Sequence, residues 1–414
     1  MVQREKKTRR FAAYICVTLS IAAALLSAVL CVSLPVTVPA AAEEPFSSPA
    51  GEPESPALPE SAPAKSSDLA PDNTASEDGH PDDDVPETYE ETSGIRPGDL
   101  MAGYLDGLIF VKPSYRLSDS AVIAPKPTKS AFGRSKKPAD TARVLAEAEL
   151  LLNGRELIWS PNRKTADDKW INWYRDDTIF VVTWRQRSAG MDLTFCEVVV
   201  AHPSQFRRYM ADNSFSSRYR YTPTQMSNTV NAVVGISGDF CKYRKLGIVV
   251  YGGKLCRCET KKLDICFVDS SGNLKFVRQG ELSGEEEVKQ YIADNDIRFS
   301  LAFGPVMIED GKNVVPTKKY PVGQILEDYT RCSISQLGEG HYLIAVASRG
   351  RNELPLKKLA NELLAMGVDN AYALDGGQTA SIVINGRLAN PVDFGEERLM
   401  SDIIYFATAI PNDK

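Results

Sequence analysis

The chain has 414 residues, with 48 Lys and Arg against 54 Asp and Glu, three histidines and eight cysteines, for a formal net charge of −6. That charge averages unlike parts: +4 for residues 1–42, −14 for 43–93 and hence +4 for 94–414. The 94–414 body carries no basic block of the kind that grips nucleic acid, and His80, His202 and His341 are too few and too scattered to support a Cys–His zinc site or a Cys–His nucleophile pair.

From Phe11 to Ala42 the chain is uncharged, and Arg4, Lys6, Lys7, Arg9 and Arg10 crowd in front of it. The apolar part up to Leu34 exceeds the roughly 20 residues a helix needs to cross a bilayer, and the basic flank holds the N-terminus inside. Residues 1–42 therefore read as a cytoplasmic flank and transmembrane signal anchor, the chain's contact with the membrane. Pro39-Ala-Ala-Ala42 offers the small side chains a signal peptidase accepts, so a cleaved signal peptide is the alternative. Either outcome puts the remainder outside the cytoplasm, anchored in the first case and secreted in the second. Residues 43–93 set fifteen acids against Lys65 alone and are rich in Pro, Ser and Ala, so they read as a disordered, self-repelling linker.

Residues 94–154 form a membrane-proximal segment with one predicted helix at 141–152, capped by Asp140 or Thr141 and closed by Asn153-Gly154. Beyond 155, apolar runs at 178–184, 193–200, 231–237, 246–251, 264–268, 299–308, 342–347, 380–384 and 402–408 read as strands. Gly252-Gly253, Asp310-Gly311 and Asn385-Gly386 mark hairpins. Short helices are predicted at 203–210, 223–230 behind a Thr222 cap, 284–292 and 354–366. The fold class is α+β: a single large domain, 155–414, on a mixed, mainly antiparallel sheet with a few helices, preceded by the anchor and the linker. Six cysteines follow the anchor, an even count that permits disulfides, but their spacing matches no small disulfide scaffold. The oligomeric state is not encoded in any pattern found here.

The segment Tyr372-Ala-Leu-Asp-Gly-Gly-Gln-Thr-Ala-Ser-Ile-Val-Ile-Asn-Gly386 carries most of the chemistry. A short apolar run stops at Asp375, two glycines follow, and a strand resumes, which presents the acid at a sheet edge. Backbone amides freed by Gly376 and Gly377 can form a nest for an anion, and an acid beside such a nest suits phosphoester or sugar chemistry. Gly238-Asp239 repeats the pattern after the strand ending at Ser237. Arg331 opens a strand, and Arg349-Gly-Arg351 closes another; arginine forks grip phosphate oxygens, while carboxylates transfer protons or attack an anomeric carbon.

Several of these segments, in unbroken order over roughly 170–410, resemble the motifs of the phosphodiester glycosidase family. Asn231-Ala-Val-Val-Gly-Ile-Ser-Gly-Asp-Phe240 is similar to its Asn-Ala-x-x-Ala-Ile-Asn-Gly-Asp-aromatic motif, and Gly247-Ile-Val-Val-Tyr-Gly-Gly-Lys-Leu255 to the hairpin after it. Phe303-Gly-Pro-Val-Met-Ile-Glu-Asp-Gly-Lys312 resembles a Phe-Gly-Pro element, and Arg331-Cys-Ser-Ile stands where the family has Arg-Thr-Ala-Ile-Gly. Arg349-Gly-Arg351 stands for Asp-Gly-Arg, Leu374-Asp-Gly-Gly-Gln-Thr-Ala for Leu-Asp-Gly-Gly-Gly-Ser-Ser, and Glu397-Arg-Leu-Met-Ser-Asp402 for Glu-Arg-x-Val-Ser-Asp.

The resemblance implies an exported hydrolase that cleaves a glycosyl-phosphate bond of a carbohydrate phosphodiester, in cell-envelope or exopolysaccharide metabolism. Carried over residue by residue, it implies catalytic Asp239, Asp375 and Arg331. Arg351, Gly376, Gly377, Gln378, Thr379 and Gly238 then bind substrate. It implies no cofactor and no metal ligand set, with a divalent cation left open. Ser237, Gln378, Ala380 and Arg349 depart from the family pattern. Two alternatives remain: a catalytically inactive glycan-binding or envelope-assembly protein, and a metal-dependent phosphodiesterase. Cys241 and Cys332, beside two of these positions, read as packing side chains.

Overall fold

The computed structural model describes residues 89–91, 115–161, 170–348 and 355–412. The expected anchor, nearly all of the linker, and Arg349 and Arg351 lie outside the described residues. Among the described residues no helix is long and apolar enough to cross a membrane. The far end of the expected linker is structured: Tyr89–Glu91 pairs antiparallel with Tyr115–Leu117.

Strand alternation builds two large sheets. In Met191–Val200, Met191, Leu193 and Phe195 turn to one side and Cys196, Val198 and Val200 to the other, all buried, so this strand lies inside a sheet covered on both faces. It is sixth in a nine-stranded sheet of order Lys312–Asn313, Val306–Glu309, Ala371–Leu374, Arg331–Gly338, His341–Ser348, Met191–Val200, Ile179–Ser188, Ile171–Arg175, Phe132–Ser135. A five-stranded sheet runs Arg387–Leu388, Ile382–Ile384, Val234–Ser237, Asp402–Phe406, Phe206–Met210. One core cluster joins them: Val198, Ile334, Ile344 and Leu374 of the larger sheet with Val234, Ile236, Ile382 and Ile404 of the smaller. Three further strands, Ile265–Asp269, Leu274–Val277 and Ile297–Leu301, form their own sheet and add Cys266, Val268 and Leu301 to that core.

Helices cover the outer faces. Leu356–Ala365 buries Leu356, Leu359, Ala360 and Leu363 at the three- and four-residue spacing of one helical stripe, in the cluster holding Phe195 and Leu343. Pro223–Thr229 starts at a Thr222–Gln225 capping box and packs Met226 on Tyr209, Ile403 and Tyr405. The predicted helix at 141–152 is observed as Pro138–Glu147 and Glu149–Leu152, with Asn153 left-handed at φ 47° behind it.

Several expectations change. All described strand pairs are antiparallel, so the mixed sheet is replaced by separate antiparallel ones. Residues 132–154, placed in the membrane-proximal segment, belong to the body, because Phe132–Ser135 pairs with Ile171–Arg175. The helix expected at 203–210 is a short turn, Pro203–Gln205, and then an edge strand, Phe206–Met210, paired along its length with Asp402–Phe406. Its adjacent arginines point to opposite faces: Arg207 donates to the carbonyls of Ser118, Asp119 and Ala121, and Arg208 to buried carboxylates. The run 299–308 splits at Gly304-Pro305 into strands of two different sheets. The six cysteines from Cys196 to Cys332 are free thiols.

Candidate active site

The Asp-Gly-Gly turn is where the chain changes sheets. It leaves the nine-stranded sheet at Leu374, turns through Asp375–Ala380 and enters the five-stranded sheet at Ile382. Asp375 thus stands at the end of an interior strand, between Val306–Glu309 and Arg331–Gly338, and not on an edge strand. The crossing is stitched down. The Asp375 N–H donates to the Gly238 carbonyl at 3.2 Å, and the Ser237 hydroxyl donates to the Thr379 carbonyl at 2.8 Å while accepting from the Ser381 N–H at 2.9 Å. Gly376 is sterically required, since a Cβ there would lie 2.5 Å from the Thr330 carbonyl oxygen.

A cleft of about 490 Å³ opens at this crossing, lined by Asp375, Phe240, Arg244, Phe303, Gln378 and Arg398 among others. Asp375 is only 8% exposed, and its Oδ2 has no hydrogen-bond partner among the described residues. Burial raises its pKa to about 7; the Thr379 hydroxyl, Arg244 and Arg398 pull it down, and Asp402 pushes it up. The Thr379 hydroxyl donates to the Gly376 carbonyl at 2.6 Å, so it braces the turn more than it satisfies the carboxyl. Arg244 lies 4.9 Å from the ring centres of both Phe240 and Phe303, and Arg398 lies 5.7 Å from that of Phe240. Ring faces favour a cation without neutralising it. Neither arginine has a salt bridge or hydrogen bond among the described residues, and burial lowers the pKa of Arg244 while Asp375 raises it. A protonatable carboxyl faces two such cations across an open cleft, an arrangement suited to a phosphate-bearing ligand and proton transfer.

Asp239 is absent from this wall. It is fully buried: Oδ1 accepts from the Cys241 N–H at 2.7 Å and meets Arg208 at 2.8 Å, and Oδ2 accepts from the Ala302 N–H at 2.8 Å. Arg208 reaches Asp402 Oδ2 at 2.9 Å, and Gly238 admits that carboxylate, which would lie 2.0 Å from a Cβ. Burial disfavours the charge of Arg208, but Asp239 and Asp402 outweigh it and hold the guanidinium above the usual arginine range. The donor atoms of Asp239, Cys241 and Asp402 lie within 4.8 Å of one another, as a metal site needs, yet Arg208 already supplies positive charge to both carboxylates.

Arg331 lines the cleft, but its terminal nitrogens donate to the carbonyls of Gly323, at 2.6 Å, Gln324, at 3.0 Å, and Glu327. The expected phosphate fork is therefore engaged in holding the loop over the cleft, and burial lowers its pKa to about 10. The Gly377 N–H, expected in an anion nest, donates to the Thr330 carbonyl at 2.7 Å. Gln378 faces the cleft and donates to the Glu396 carbonyl at 3.3 Å. Cys332 lines the cleft, its thiol pushed up to about 12 by burial, and burial with Asp239 raises Cys241 as well.

Residues 230–407 match the phosphodiester glycosidase family model. The match covers Asp239, Arg331, Asp375 and their neighbours, and bears out the resemblance read from the motifs. No curated protein matches the chain. Several solved structures are similar to it, two of them as follows. The zebrafish N-acetylglucosamine-1-phosphodiester alpha-N-acetylglucosaminidase catalytic domain, auto-inhibited by pro-peptide, is 16% identical with a TM-score of 0.45, over 56% of this chain and 83% of its own. A hypothetical protein from Synechocystis is 14% identical with a TM-score of 0.42, over 58% of this chain and 64% of its own.

Sequence reasoning passed over the two cleft cations and Arg208. Arg398 lies inside the Glu397–Asp402 motif and Arg244 five residues after Asp239, so proximity to matched motifs was a usable signal for both. Arg208 had none, since its segment reads as a helix.

Proposed function

We propose that the cleft hydrolyses the bond between a sugar and a phosphodiester, with the phosphate as leaving group. The observation that carries the reading is Asp375: buried, with an unpartnered oxygen, held near neutrality in its proton affinity and facing Arg244 and Arg398. In this reading the two arginines bind the phosphate oxygens and Asp375 protonates the oxygen that departs with phosphorus. Gly376 and Gln378 line the pocket, the buried Thr379 braces their turn from behind, and Arg331 secures the wall. The family match supplies the substrate class. The test is release of free sugar from a panel of glycosyl phosphodiesters by purified protein, before and after chelation. Release insensitive to chelator supports the reading; binding without release favours the glycan-binding alternative, and activity abolished by chelation favours the metal-dependent one.

We also propose that this domain works outside the cytoplasm on an envelope polymer, tethered through residues 11–34. The basic flank and the uncharged stretch support the topology, and the family resemblance supports the polymer. Protease added to intact cells should remove the 94–414 body; a fully protected body overturns the topology.

A further inference from the structure

Among the described residues two carboxylates line the cleft, Asp375 and Asp393, while Asp239 and Asp402 are tied to Arg208. Hydrolysis at a glycosyl carbon by single displacement needs one group to assist the departing oxygen and a second to activate water. Asp393 opens the turn Asp393–Gly395, which packs against the turn Gly377–Thr379. Thr330 links the two. Its hydroxyl donates to Asp393 Oδ1 at 2.8 Å, and its carbonyl accepts from the Gly377 N–H at 2.7 Å. The close passage of that carbonyl over Gly376 leaves no room for a Cβ, so Thr330 holds the turn that follows Asp375 close to the one that bears Asp393. Beside Asp393 the backbone is held where side chains rarely go: Phe394 has φ 63° and is 87% exposed at the cleft.

We infer that Asp393 is the general base that activates the attacking water, a role that rests on the cleft being a glycosyl-phosphate hydrolase. Thr330 holds Oδ1, which leaves Oδ2 to accept the proton of water. As the water oxygen bonds to the anomeric carbon, the bond from that carbon to the phosphate oxygen breaks. The electron pair leaves on phosphate, and the proton of Asp375 goes to that oxygen. One proton enters Asp393, one leaves Asp375, and the products are the free sugar, with inverted configuration, and the phosphomonoester.

The test uses the full chain with glycosyl phosphodiesters and reads the first-formed sugar anomer by proton NMR. Inversion by wild type, with a ~100-fold or greater loss of kcat in Asp393→Asn at an unchanged melting temperature, is the expected result. Retention, or Asp393→Asn turning over within ~3-fold of wild type, overturns the base while the hydrolase reading stands. Should Asp393→Asn not fold, Asp393→Glu and Thr330→Val decide: each displaces the carboxylate and should lower kcat with KM within ~3-fold, and full kcat in both overturns the inference. If wild type releases sugar from no member of the panel, the hydrolase reading fails and this inference falls with it.

Discussion

Two clusters of carboxylate and arginine sit a few residues apart in this fold and have opposite character. In Asp239–Arg208–Asp402 the guanidinium bonds both acids, Asp239 accepts two backbone N–H groups besides, and every member is buried. Around Asp375, Arg244 and Arg398 rest on aromatic faces without a salt bridge, and Asp375 Oδ2 is unpartnered. A buried charge whose hydrogen bonds are complete holds structure together; one whose bonds are incomplete and whose proton affinity is moved towards neutrality is available for chemistry. Residue type does not separate the two clusters. Completeness of pairing does.

The sharpest way to break this contrast is Asp375→Asn. Asparagine keeps the shape but cannot transfer the proton, so turnover should fall by about 10²–10⁴, the usual contribution of a general acid. Stability should move the other way, with a defined pH dependence. The folded-state pKa, about 7, lies above the ordinary 3.8. The favourable contribution of the protonated form is therefore complete below pH 3.8 and lost as pH rises through 7. Wild type and Asp375→Asn should melt together near pH 4, and the variant should be more stable at pH 8 by up to about 4 kcal/mol, as three pKa units allow. Wild-type turnover should decline above pH 7 as the acid ionises. A variant that melts lower than wild type at pH 8 with full activity would place Asp375 among the structural acids.

Arg208→Met gives the opposite signature. It leaves Asp239 and Asp402 buried without their cation, and removing one partner of a buried pair costs about 3–5 kcal/mol. Urea unfolding measures the loss, and activity per folded molecule should stay near wild type. Arg244→Lys comes next. It retains a charge but loses the guanidinium that contacts the rings of Phe240 and Phe303 and can bond phosphate oxygens as a fork, so KM for a phosphodiester should rise about 10-fold with less change in kcat. An unchanged KM removes Arg244 from the phosphate site.

Much of this contrast could be read from the sequence, and the unread part has a physical cause. The acid between a short apolar run and two glycines, the amphipathic stripe of 356–365, the Thr222 cap and the order of motifs are local, and local signals survive in a linear reading. The direction of Arg331 is not local: it depends on carbonyls of the 323–327 loop that close over it. Nor is the fate of Asp239, whose partner Arg208 arrives on a strand that pairs with residues almost 200 positions away. The separation into two large sheets is not legible because each strand shows only its own alternation, and Asp375–Ala380 reads as a turn between strands although it carries the chain from one sheet to the other.

The smallest expected effect belongs to Gln378, which stands where the family has a glycine. Its amide reaches the Glu396 carbonyl at 3.3 Å and so ties the Gly377–Thr379 turn to the loop that bears Asp393 and Arg398. A partly exposed neutral hydrogen bond contributes about 0.5–1 kcal/mol, and a new glycine adds a similar entropic loss. Gln378→Gly should therefore lower stability by about 1–2 kcal/mol, a few degrees of melting temperature for a domain of this size. It also removes a side chain from the cleft wall, so kcat/KM should shift by less than ~5-fold, in favour of substrates with a bulkier group on phosphate. Competition between a small and a large glycosyl phosphodiester in one reaction measures that ratio directly. If the ratio and the melting temperature are both unmoved, Gln378 neither tethers the loop nor narrows the cleft, and the contrast rests on the charged residues alone.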